Sequence, residues 1–141
     1  MQNLPHPLET LAGCCWLPRI AAKTRGYLLG DMPFTYRLAF GSRIGVDGYF
    51  FRHFRLSRSK IIAAVRASPE DAQLAGWFLG RSAVTAESIA TWNEFAPRLG
   101  AKGHPGHATF LAVKCFFYPK AIVHPVCSIF EAIVQDEDLS R

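Results

Sequence analysis

A chain of 141 residues has the length of one domain, and at that length about 68% of the unfolded surface is buried on folding, so a single filled core is expected. Half the residues are apolar, eleven are Phe and only 19% are charged, a balance that excludes disorder and leaves so thin a polar coating that a homodimer is one expectation. The net charge is +5, and from Arg37 to Arg66 seven cations (Arg37, Arg43, Arg52, Arg55, Arg58, Lys60, Arg66) face the single Asp47, so that this segment attracts anions.

No membrane partner is expected, because the apolar stretches are broken by Lys114 and by His124-Pro125 before reaching the ~20 residues of a membrane helix. The N-terminus shows no charged lead followed by an apolar run, and the four cysteines (Cys14, Cys15, Cys115, Cys127) make no C-x-x-C pair. A cytoplasmic protein with reduced thiols is the expectation.

In chain order, residues 1–13 read as an extended lead with a turn of helix at Leu8 to Ala12. A first helix is predicted from about Trp16 to Leu29, with Pro18 tolerated in the first turn and Gly30 as its stop. Leu17, Ile20, Ala21, Thr24 and Leu28 recur at helical spacing and form its core stripe. The opposite face gathers Trp16, Arg19, Lys23, Gly26 and Tyr27, two cations one turn apart with no carboxylate in the helix. Residues 31–46 read as a long irregular connection that includes Tyr36, and loops of that length are often functional.

Asp47 is expected to cap a short helix through about Phe54, and Ser57 a second one carrying Ile61, Ile62 and Val65. Ser68-Pro69-Glu70-Asp71 combines a capping serine, a first-position proline and two acids, and starts a helix that stops near Gly80. Thr85 caps a helix over 86–96 with Ile89, Trp92 and Phe95 on one face, closed by Pro97. After a loop over 98–107, His107 to Phe117 and Pro125 to Val134 read as core helices, with a strand as the alternative over 110–123. Residues 135–141 form an acidic tail, solvated or docked on the basic segment. The sum is an all-α, single-domain helical bundle over 1–141, with five to seven helices and long connections.

With these elements placed, the chain resembles the bacterial domain-of-unknown-function family numbered 5069. The resemblance is carried by Leu17-Pro18-Arg19, Lys23, Arg25, Gly30, the aspartate before an aromatic pair (Asp47, Phe50-Phe51), and Ile89 with Trp92-Asn93-Glu94. It covers roughly residues 5 to 95. The chain departs from the family pattern at Ala22, where an acid precedes the lysine, and at Gly45-Val46-Asp47, where the pattern has proline-leucine-aspartate. The resemblance implies a small helical bacterial domain and brings no activity with it.

The candidate ligand-binding set is Arg19, Lys23, Tyr36, Asp47, Trp92 and Asn93. Arg19 supplies paired donors for a carboxylate or phosphate and Lys23 a point charge, so a small anionic ligand or an acidic partner is the leading expectation. The bland alternative pairs Arg19 with Glu94 or Asp47 to fix helix packing. Trp92-Asn93 offers an indole platform beside a polar amide, although a Trp at core spacing usually belongs to the core. Whether the domain is an enzyme stays open. An enzyme would use Tyr36, Asp47 or a thiol near Arg19 with a lowered pKa for proton transfer on a phosphorylated or carboxylated substrate.

Nucleic-acid binding through 37–66, with Tyr36, Phe40, Tyr49, Phe50 and Phe54 as stacking rings, is the third reading. No metal and no cofactor are expected: His104 and His107 come close across Pro105-Gly106, but two ligands do not make a site.

Overall fold

The computed structural model describes residues 4–122 and 125–139. Residues 1–3 of the expected lead, residue 123 of the strand alternative and residues 140–141 of the acidic tail lie outside them. By their internal contacts the residues divide into two compact units, 1–93 and 94–141.

The first unit opens on a hairpin where an extended lead with a helical turn was expected. β1 (Thr10–Leu11) pairs antiparallel with β2 (Cys14–Cys15), Thr10 opposite Cys15 and Leu11 opposite Cys14. Ala12 and Gly13 between them both have positive φ, 56° and 75°, the two-residue turn that matches the twist of the strands. α1 (Leu17–Leu29) follows at once and ends as expected at Gly30, where φ is 74° and the Gly30 and Asp31 N–H groups close onto Tyr27 O and Gly26 O.

The expected irregular connection holds a further helix, α2 (Phe34–Ala39), with no buried residue. α3 (Val46–His53) is capped by Gly45, not by Asp47. α4 (Arg58–Ala67) takes the expected cap, the Ser57 hydroxyl accepting the Lys60 N–H at 3.2 Å. α5 (Asp71–Leu79) begins two residues later than Ser68-Pro69 suggests, because the Glu70 carboxylate and the Gln73 amide cap it reciprocally. α6 (Ala86–Phe95) starts from Thr85, whose hydroxyl accepts the Ser88 N–H.

The core of this unit is aromatic. Phe50, Phe54, Phe78 and Trp92 are fully buried, with ring centroids from 4.9 Å (Phe50 to Phe54) to 6.1 Å (Phe50 to Phe78). The edge of Trp92 meets Phe50 at 5.3 Å. α1 packs on α4 and brings Leu17, Ile20 and Ile61 into this core.

The second unit carries the short 3-10 turn at Ala96–Arg98, α7 (His107–Phe117), a second 3-10 turn at Pro119–Ile122 and α8 (Ile129–Asp136). α7 has the expected bounds and is a helix, not a strand, but only Phe110 on it is buried, so it is not the core helix its composition suggests. Ile129, Phe130, Ala132 and Ile133 of α8 are buried, and the Ile129 N–H bonds the Leu99 carbonyl at 3.0 Å. The start of the acidic tail belongs to α8, and Lys120 holds Asp138 at 2.7 Å.

The class is mainly helical, as expected. Among the described residues there are eight α-helices against the expected five to seven, the extra one being α2.

Candidate functional site

Trp16 joins β2 to α1 in the left-handed region, with φ 72° and ψ −25°. A bulky residue there costs on the order of 1–3 kcal/mol and persists only when its surroundings fix it. They do so through one carboxylate. Trp16 Nε1 donates to Asp47 Oδ1 at 2.8 Å, and Lys23 Nζ donates to the same oxygen at 2.6 Å. The Gly41 N–H reaches Asp47 Oδ2 at 3.0 Å.

Both charged side chains are inside: that of Lys23 is 4% exposed and that of Asp47 1%. Lys23 Nζ and the Arg19 guanidinium lie 4.8 and 5.1 Å from the Trp16 ring centre, so the indole carries two cations on its π surface. Arg19 is also buried and donates from Nη1 to the Pro5 carbonyl at 2.9 Å, which ties the lead to α1.

Asp47 can hold Gly41 because of the residue after it. Gly48 has no Cβ, and one would land on the Ser42 carbonyl oxygen and 2.6 Å from Arg43 Cα. The turn from Gly41 to Gly45 therefore closes directly over the first turn of α3. Asp47 does accept a backbone N–H, as a cap does, but from that turn and not from its own helix.

A second cluster sits one residue upstream. Asn93 Oδ1 accepts the Cys15 N–H at 2.9 Å and Asn93 Nδ2 donates to the Gly13 carbonyl at 2.8 Å, while Trp92 Nε1 donates to the Cys15 carbonyl at 2.9 Å. Neighbouring residues of α6 thus clamp the hairpin by its backbone. The structure gathers Arg19, Lys23 and Asp47 around Trp16, and Trp92 with Asn93 around Cys15. Tyr36 stands half-buried on α2 and is not among the donors to Asp47. Glu94 is exposed and lies 4.0 Å from Arg98.

The basic face of α1 is not a solvent face, since Arg19, Lys23 and Gly26 are buried along with the apolar stripe. Arg25, which points away from them, pairs with Asp71 at 2.6 Å. The thiols differ from expectation as well. Burial pushes both up: Cys15 to about 11 against the opposing Trp92 hydrogen bond, and Cys14 further, aided by the neighbouring Cys15. A lowered pKa beside Arg19 does not occur.

His107 Nδ1 shares a 2.9 Å hydrogen bond with the Gly100 carbonyl. Among the described residues no group of three or more His, Cys, Asp or Glu side chains is placed to hold a metal ion. Sequence reasoning missed Gly41 and Gly48 as parts of the Asp47 site. The available signal was a glycine directly after a buried acid and a second one six residues before it.

No curated protein and no solved structure matches the chain. The model of one family, described as a domain of unknown function (DUF5069), matches residues 2–138, including the C-terminal forty or so residues that the motif resemblance leaves out. The chain belongs to that family.

Proposed function

We propose that this DUF5069 domain recognises an acidic partner through its surface cations between Arg37 and Arg66. The observation that carries the reading is the direction Asp47 takes. All seven cations of the segment are exposed, on α2, the 41–45 turn, α3, the link from α3 to α4 (Arg55) and α4, while the segment's one carboxylate is turned inward onto Lys23. What the sequence shows as seven charges against one is seven against none at the surface.

Arg19 and Lys23 serve this reading as scaffold, because an anion seated on them would have to displace Asp47 and the Pro5 carbonyl. The stacking rings needed for base recognition are mostly withdrawn: Phe40, Phe50 and Phe54 are buried. Four free cysteines suit a cytoplasmic setting, where thiols stay reduced. A homodimer would cover exposed apolar side chains, of which α7 carries Leu111 and Phe116.

The test is binding of fluorescent heparin, a soluble polyanion, across a salt series. Wild type binds with an affinity that falls as salt rises, and Arg37→Glu with Arg43→Glu weakens it by about tenfold or more. Binding that is flat with salt, or untouched by the double reversal, overturns the proposal.

A further inference from the structure

The surface cations are not alone at the α2 end of the first unit. Phe34 is 67% exposed and Leu38 48%, and with Arg37 they sit at i, i+3 and i+4, on one face of α2. Leu29, the last residue of α1, is 79% exposed, and Ile44 in the following turn 57%. The neighbourhood is fixed by Arg58: its guanidinium lies 4.8 Å from the ring centre of Tyr27 and 5.0 Å from that of Phe40, and its stem meets Gly41. The C-terminal end of α1, the turn after α2 and the start of α4 therefore share one place. Of the carboxylates between Tyr27 and Arg66, Asp31 is exposed and Asp47 is buried, against seven exposed cations.

We infer that this end of the domain docks on the surface of an anionic lipid bilayer, with Phe34, Leu38 and Leu29 entering the headgroup boundary and Arg37, Arg43 and Arg58 meeting the lipid phosphates. The inference rests on the reading that the cation band binds an acidic partner, and names that partner. Three observations choose the bilayer. Side chains exposed to this degree offer apolar area to solvent, and a lipid phase buries such area without the matching pocket that a peptide partner needs. A second copy on a two-fold axis would bring the basic rim against itself, and like charges oppose that contact. A nucleic acid offers the aliphatic Leu29, Leu38 and Ile44 nothing to bury against, whereas an anionic bilayer complements both the charge and the apolar area. No described helix is long and apolar enough to cross a membrane, so the contact is peripheral. The apolar stretches in the sequence argue against a crossing, and surface docking needs none.

The experiment is co-sedimentation of the full chain with vesicles of phosphatidylcholine alone and with added phosphatidylserine, alongside the heparin titration. Wild type is expected on the phosphatidylserine vesicles and not on phosphatidylcholine. Phe34→Gln with Leu38→Gln should lower that partitioning by about tenfold or more, with heparin affinity and melting temperature unchanged, since α2 buries no residue. Leu29→Gln alone gives an independent second readout in the same direction. Heparin binding without vesicle binding overturns the inference and leaves the acidic-partner reading standing. Vesicle binding that both variants retain in full overturns it likewise. Loss of heparin and vesicle binding together in the wild type overturns both.

Discussion

Asp47 is a buried carboxylate whose three donors come from three parts of the chain: an indole before α1, an ammonium within it and a backbone N–H in the 41–45 turn. Such a group is costly to bury and more costly to leave half-paired. Asp47→Asn keeps the shape but only one acceptor oxygen, so an NH2 group must face either the Gly41 N–H or the Trp16 and Lys23 donors, and the carboxylate charge beside Lys23 is lost; it should cost about 3–5 kcal/mol in urea unfolding. Lys23→Met should also destabilise. The double variant should then lose less than the sum, by roughly 1–3 kcal/mol, because the 2.6 Å contact between the two groups is lost in each single change and is counted twice in the sum. Strict additivity would mean that the 2.6 Å contact does not couple the two helices. The sequence already singles out both residues, and their pairing was not legible. A helical wheel places Lys23 on a face, but what meets that face depends on how α3 packs, and Arg19 competes for the same acid on paper. Trp92 and Asn93 were legible in the same partial way. Their types suggest a polar ligand above a ring, and what they hold is the hairpin backbone at Gly13 and Cys15.

At the scale of elements, the structure departs from expectation where local signals are short. β1 and β2 have two residues each, too few for any alternation to show, and their turn puts an alanine at positive φ where sequence preference would ask for Asn or Asp. α2 spans six residues between Pro33 and Gly41 and buries none of them, so no stripe marks it as a helix. Of the helices that bury a full stripe, α1 lies within a residue of its expected bounds and α4 starts at its expected cap, because the stripe and the caps agree. The 41–45 turn is where a single backbone position controls two elements. Gly48→Ala drives a methyl group into the Ser42–Arg43 backbone, which has no side-chain freedom with which to yield. We expect a loss of about 1–3 kcal/mol or more in chemical denaturation, larger than Gly76→Ala on α5, where an added Cβ meets nothing within 4 Å and exchange of Gly for Ala in a helix is favourable by about 0.5–1 kcal/mol. Equal effects at the two glycines would remove the close approach of the turn to α3.

For the molecule as a whole, net charge and charge placement make different predictions. A net charge of +5 alone draws any polyanion, whichever cations supply it. The composition makes that much legible, but it cannot say that Asp47 is inside, which is a packing fact and the reason the surface of 37–66 is more basic than its sequence. Two neutralised variants separate the alternatives. Arg37→Gln, Arg43→Gln and Lys60→Gln remove three exposed cations of the band, whereas Arg98→Gln, Lys102→Gln and Lys114→Gln remove three from the second unit; each set takes +5 to +2 by the same subtraction. If recognition is local, the first set should lower the slope of log affinity against log salt by about 2–3 on a short DNA duplex used as a test polyanion, and the second by less than about 1, since each phosphate contact contributes close to 0.9. Arg58 is left in place in both, because its guanidinium also rests on Tyr27 and Phe40 and its loss would mix packing with charge. Equal slopes for the two sets would reduce the attraction to bulk charge and withdraw the band as a recognition surface.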